Sequence, residues 1–350
     1  MLRHARASLR VLCFATALAG LFPFQNARAQ DGNFYAGKTV KIIVGYAPGS
    51  SYDGFARVIA QFAPQYIPGQ PHMVVENMPG AGSLTALNFA VNIAPQDGTV
   101  IAAIGATLPF GPLLGEKSAR FDALKLNWLP SPGSDTSALT VWHTVPVKTL
   151  EDAKKTELIL ASNAITGSSS LYGRLLAEVL GLKIRLVYGY TGGVSDALLA
   201  TEKGEVHGHP SVSWGVIKSR ADWLRDHKVR LLTYFGGPKN PELEAYDGAV
   251  YADDLVKPGP DRQLWDLGMA PSTLGRPYVM GPGVPKERVA IIADAMMKAF
   301  ANPEVKAAAA RQQLEIDPLS REKVQEVIEK TYASPKETVD RLVGLFGERK

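Results

Sequence analysis

The chain has 350 residues, 38 Lys and Arg against 34 Asp and Glu, a net charge of +4 and one cysteine. The length suggests about two domains. The basic excess is Arg3, Arg6, Arg10 and Arg28 near the N-terminus; the remainder is neutral and offers no basic stripe to track phosphates, which excludes nucleic acid as a partner.

Arg3, Arg6 and Arg10 precede the apolar stretch Val11 to Phe24, and Ala27-Arg28-Ala29 places small residues where a signal peptidase reads. This pattern predicts a secretory signal over residues 1–29, cleaved near Ala29. The apolar run is shorter than the ~20 residues of a spanning helix. Cys13 lies inside the signal. A cysteine-free mature chain has no disulfide, no thiolate metal site and no cysteine nucleophile.

Short β-rich runs then alternate with helical patterns. Thr39 to Tyr46 reads as a strand, Gly49-Ser50-Ser51 as a break, and Phe55, Val58, Ile59 and Phe62 as one helix face. His72 to Glu76 is a second strand; Leu84, Leu87 and Val91 mark a helix; Thr99 to Ile104 is a third strand. Strand, glycine turn, helix and strand in succession signify parallel βαβ units. A second series begins near Leu139. Thr149-Leu150-Glu151-Asp152 is a capping-box-like helix start. Strands follow at Leu158 to Ala161 and Lys183 to Tyr188, with a helix over Leu171 to Leu180 between them. Val229 to Phe235 reads as a strand returning to the first lobe. The tail is mainly helical, with Asn302-Pro303 and Ser334-Pro335 as helix starts. The expected organisation is therefore α/β: a first lobe from 30–137 and 235–350, and a second lobe from 138–234.

Three loops join a strand to a helix through small residues: Gly49-Ser50-Ser51-Tyr52-Asp53, Thr166-Gly167-Ser168-Ser169, and Tyr190-Thr191-Gly192-Gly193. In parallel sheets such loops gather at the carboxyl edge, where ligands bind. Free N–H groups and the positive end of the helix dipole favour an anion there. Each loop taken singly also reads as an ordinary turn with a serine cap. Asp53 in a first helical turn suits the dipole, and as a ligand contact it would repel an anion lacking an amine. Tyr52, Tyr188 and Tyr190 are candidate pocket walls. Thr107, just past the third strand, completes the candidate set. Gly80-Ala81-Gly82-Ser83-Leu84-Thr85 nearly forms a dinucleotide fingerprint but has Thr at its last position. No nucleophile elbow, phosphate loop or zinc-protease motif is present. His207 and His209 would share a strand face, but nothing nearby in sequence completes a metal site.

The run Lys38 to Gly45, then Ala47-Pro48-Gly49, Asp53 and Ala56-Arg57, resembles the start of the Bug (TctC-like) family of periplasmic receptors of tripartite tricarboxylate transporters. Val74 to Ser83 and Ala94 to Thr99 resemble that family's next two landmarks. The resemblance implies a type II periplasmic-binding-protein fold, with two α/β lobes joined by two crossing strands and closing on a small organic acid. It implies that Gly49 to Asp53 face one end of the ligand and that the region around Thr166 to Ser169 holds a carboxylate from the other side. Tyr52 and Thr191 depart from the family pattern, which has Thr and Lys in these places. The expected protein is a monomeric, cofactor-free, non-enzymatic receptor that delivers its ligand to integral-membrane transporter subunits. A sensory subunit for a membrane signalling partner and a periplasmic serine esterase are the alternatives.

Overall fold

A computed structural model describes residues 33–162, 167–190, 194–246, 248–312 and 314–345. Its strands are β1 (Thr39–Val44), β2 (His72–Asn77), β3 (Val100–Ala103), β4 (Asn127–Leu129), β5 (Ser137–Trp142), β6 (Leu158–Ala161), β7 (Ile184–Val187), β8 (Gly208–Ser213), β9 (Val229–Phe235), β10 (Val250–Tyr251) and β11 (Tyr278–Met280). They form two sheets, ordered β2-β1-β3-β11-β4 and β10-β9-β5-β8-β6-β7. The chain is a two-lobed α/β protein.

In the first sheet β1 pairs in parallel with β2 and β3, Ile42 lying opposite Val75 and Ile101. Parallel neighbours need crossover connections, and the helices Ser51–Phe62 and Leu84–Asn92 supply them. The sheet is buried on both faces, which is why β1 reads as a near-continuous apolar run. Val40, Ile42 and Val44 meet Phe55, Val58, Ile59 and Phe300 on one side. Ile43 faces the other way, towards Leu84, Leu87, Trp128 and Val279. β11 comes from late in the chain and runs antiparallel to β3 and β4, with Tyr278 between Ala103 and Leu129.

The second sheet is mixed: β6 is parallel to β7 and β8, while β5 is antiparallel to β8 and β9. Leu139, Val141, Leu158 and Leu160 pack on Leu171, Leu175 and Trp265. Ala138, Val212 and Tyr234 face Trp214, Ile217 and Trp223 on the opposite side. The helix Pro260–Leu274 lies close enough to Ser168–Leu180 that a Cβ on Gly268 would sit 2.3 Å from Leu175. Val339 and Leu342 of the helix Lys336–Leu345 join the same core.

Local signals in the sequence act as expected. Thr149 Oγ1 accepts the Asp152 N–H at 3.1 Å, and Asp152 Oδ2 accepts the Thr149 N–H at 3.1 Å. Asn302 caps Pro303–Ala310 through the Glu304 N–H at 2.8 Å. Thr149→Ala is expected to lower stability by about 1 kcal/mol, the usual cost of a lost N-cap; urea unfolding of the variant checks it. No helix among the described residues is long and apolar enough to cross a membrane.

Two of the segments that join the sheets run side by side. β4 leads through 130–136 into β5, and the helix Pro260–Leu274 leads through 275–277 into β11. The return to the first sheet therefore comes after that helix. β9 itself is a buried member of the second sheet, flanked by β5 and β10.

The crossing segments are laced together. Ser131 Oγ, fully buried, donates to the Leu274 carbonyl at 2.7 Å and accepts the Arg276 N–H at 3.3 Å. Asp135 N–H donates to the Ser272 carbonyl at 2.9 Å, and Ser272 Oγ returns a bond to the Asp135 carbonyl at 3.1 Å. Gly275 (φ +59°) approaches so closely that a Cβ there would lie 1.9 Å from the Gly133 carbonyl oxygen.

Candidate ligand-binding site

The loops after β1, β2 and β3 meet at the carboxyl edge of the first sheet. A Cβ on Gly45 would fall 2.1 Å from the Ser83 Cβ, so only glycine fits between these loops. Ser83 Oγ accepts the Gly105 N–H at 2.7 Å, tying the second loop to the third. The first loop is organised by Asp53, which is 3% exposed. Its Oδ2 accepts the Gly49 N–H and Arg57 Nε, both at 2.9 Å, and its Oδ1 accepts Asn77 Nδ2 at 3.0 Å. Burial pushes the Asp53 pKa up, but hydrogen bonds from Arg57, Gly49 and Asn77 outweigh it and hold the carboxyl below its ordinary value. Ser50 caps the helix by accepting the Asp53 N–H at 3.3 Å. Gly49, at φ +83°, turns the chain on an exposed surface.

Above this frame Tyr52 stacks on Tyr46, centroids 4.3 Å apart, and its hydroxyl donates to the Gly275 carbonyl at 3.4 Å. Burial pushes the Tyr52 phenol pKa up, so it stays a neutral donor. Arg276 arrives beside it from the second crossing segment. Its Nε donates to Ser51 Oγ at 3.2 Å, its guanidinium lies 5.9 Å from the Tyr52 ring and 5.1 Å from the Phe55 ring, and its Nη2 lies 3.7 Å from Asp135 Oδ1. A guanidinium, a serine hydroxyl and the N-terminus of a twelve-residue helix meet here, and each of these favours negative charge.

The second sheet presents its own carboxyl edge. Gly167 caps Ser168–Leu180 in an extended conformation, so the positive end of this helix dipole lies at the loop that precedes it. Ser168 is exposed, whereas Ser169 is buried and shares a 2.8 Å hydrogen bond with Ser162 Oγ. Tyr188 Oη accepts Arg174 Nη2 at 2.9 Å and lies 3.4 Å from Ser170 Oγ. Tyr188 and Arg174 also line a shallow hollow of about 160 Å³ with Leu186 and Ile184. Tyr190 packs on the small cluster of Ala161, Ala197, Ala200 and Val206. Tyr172, on the same helix as Ser169, is buried against Phe235, ring centroids 5.3 Å apart, and burial pushes its phenol pKa up.

Ser51, Tyr52 and Asp53 thus lie at one corner with Arg276, and Gly167, Ser168 and Ser169 start a second helix. Thr107 is exposed and heads the short turn Leu108–Phe110, its carbonyl accepting the Phe110 N–H at 3.2 Å. Thr166, Thr191, Gly192 and Gly193 lie outside the described residues. Sequence reasoning missed Arg276, Asp135, Tyr172 and Tyr46. Only Arg276 leaves a local trace, an arginine held between Gly275 and Pro277 just after a helix end. His207 and His209 serve the backbone, their Nδ1 atoms accepting the N–H groups of Ile159 and Ser211 at 3.2 and 3.1 Å. Burial lowers the His209 pKa to about 4. No group of three or more His, Cys, Asp or Glu among the described residues is placed to hold a metal ion. A larger hollow of about 510 Å³, around Asn127, Lys286 and Arg321, lies at the opposite edge of the first sheet.

No protein-family model and no curated protein matches the sequence. Solved structures do. A TctC solute-binding protein from Polaromonas superposes with a TM-score of 0.69 at 17% identity, over 89% of this chain and 98% of its own. This is the fold of the TctC-type periplasmic solute-binding proteins. An R. palustris protein with adipate has a TM-score of 0.62 at 18% identity, over 88% of this chain and 97% of its own. MatC from Rhodopseudomonas palustris, with bound malate, has a TM-score of 0.57 at 20% identity, over 88% of this chain and 99% of its own.

Proposed function

We propose that the protein is a periplasmic receptor that captures a small organic acid in a cleft between the two sheet edges. It hands this ligand to integral-membrane transporter subunits, having been exported by its N-terminal signal. It changes no bond in the ligand. The observation that carries this reading is the corner made by Arg276, Ser51 and the N-terminus of the helix Ser51–Phe62. A carboxylate seated there meets a fixed cation, a hydroxyl and the positive end of a helix dipole. The N-terminus of the helix Ser168–Leu180, with the exposed Ser168, offers a second such position. TctC-type folds with bound adipate and malate support the choice of a carboxylate.

Ligand binding to the native state raises its melting temperature by linkage. Ligand-free protein screened against mono-, di- and tricarboxylic acids, each beside its neutral amide, is expected to shift with at least one acid and with no amide. A shift with neither class, or with amides equally, contradicts the reading.

A further inference from the structure

Asp135 gives the proposed cleft a negative charge beside its positive one. The carboxylate is 43% exposed, while the Arg276 side chain is 18% exposed. At 3.7 Å the two form an ion pair longer than a direct hydrogen bond, so both keep hydrogen-bonding capacity for a ligand. Asp135 is held in place by its backbone, which exchanges hydrogen bonds with Ser272. Gly236 keeps that backbone close: a Cβ there would lie 2.5 Å from the Asp135 carbonyl oxygen. Asp135 lies in the segment 130–136 that runs from β4 of one sheet to β5 of the other.

A plain carboxylate on Arg276 would bring two negative groups around one guanidinium, and like charges that close repel. A ligand escapes this if the carbon next to its carboxylate carries a hydrogen-bond donor. The carboxylate then bonds Arg276 and Ser51, and the donor bonds Asp135. Charge-assisted hydrogen bonds of both kinds are the strong ones.

We propose that Arg276 and Asp135 together select an acid with a donor on its α carbon, an α-hydroxy or α-amino acid. This inference rests on the carboxylate reading above and narrows it.

The test is calorimetric titration of ligand-free protein with succinate, L-malate and L-aspartate, which share a four-carbon dicarboxylate skeleton and differ at one position. The wild type is expected to bind malate or aspartate at least about tenfold more tightly than succinate, the worth of one charge-assisted hydrogen bond. Whichever of the two binds identifies the donor. Asp135→Asn is expected to bring the donor-bearing acid and succinate to within a few-fold of each other, because one exchanges a charged acceptor for a neutral amide oxygen and the other loses a repulsive neighbour. Arg276→Gln is expected to abolish binding of all three, with Arg276→Lys recovering part of it. Equal affinity for malate, aspartate and succinate overturns the inference and leaves organic-acid capture standing. So does an unchanged preference in Asp135→Asn, which would reduce the pair to hinge packing. Failure of the wild type to bind these or any other acid overturns both.

Discussion

Asp53→Ala is expected to lower the free energy of unfolding by about 3 kcal/mol, far more than an ordinary surface substitution. Both oxygens of this buried carboxylate are used, by Gly49, Arg57 and Asn77. Removing it takes the acceptor from the Gly49 N–H and from one of the two Asn77 amide donors, the other keeping the Tyr46 carbonyl at 3.0 Å, and releases the turn that carries Ser50 and Ser51. Asp53→Asn keeps one acceptor oxygen and is expected to lose about half as much. The same residue predicts an acid limb. Its folded pKa lies below its unfolded value. Its contribution is therefore fully present above the unfolded pKa of about 4 and is lost as pH falls through the folded one. The wild type should weaken more steeply below pH ~4 than Asp53→Asn, which has no carboxyl to titrate. Urea unfolding across pH 2.5–6 measures both effects. A loss under about 1 kcal/mol in Asp53→Ala would show that the loop stands without it.

Gly275→Ala is expected to cost about 3 kcal/mol as well, and to weaken organic-acid binding besides. Gly275 has φ +59° and ψ −87°, a conformation that strains any residue with a Cβ. The added methyl would also meet the Gly133 carbonyl at 1.9 Å. That neighbour is backbone, so relief requires the two crossing segments to part. Parting them disturbs the Ser131 hydrogen bonds and moves Arg276 off Ser51. Gly181→Ala is the control. Gly181 also has positive φ, +70°, but a Cβ there meets nothing within 4 Å, so its cost is expected to be about 1 kcal/mol with binding unchanged. If both variants lose equal stability, close approach at the crossing point is not what fixes Gly275.

Why one part of this molecule is legible in sequence and another is not follows from where each interaction lies along the chain. β1, the helix Ser51–Phe62 and the Thr149 cap are written in adjacent residues, because periodicity, glycine turns and capping boxes act over a few positions. The Gly49 to Asp53 loop is legible for the same reason. Asp53 serves that loop from inside it, consistent with its place in a first helical turn. Arg276 is different. It meets Ser51, Asp135 and Ser131 from distant parts of the chain, a juxtaposition created only when β11 enters the first sheet. No local pattern encodes such a contact. β9 shows a related limit: its apolar run correctly marks a buried strand, but periodicity does not say which neighbours it takes, and it pairs with β5 and β10.

If one organic acid occupies the cleft between the sheet edges, native mass spectrometry detects it as a mass bound to the intact chain. Ligand-free protein is mixed with a set of small carboxylic acids, desalted, and sprayed without denaturation. The wild type is expected to carry a single added mass, equal to one of those acids, that is missing in Arg276→Gln. A wild-type spectrum showing only the bare chain across the whole set, or the same adduct in both proteins, would contradict it.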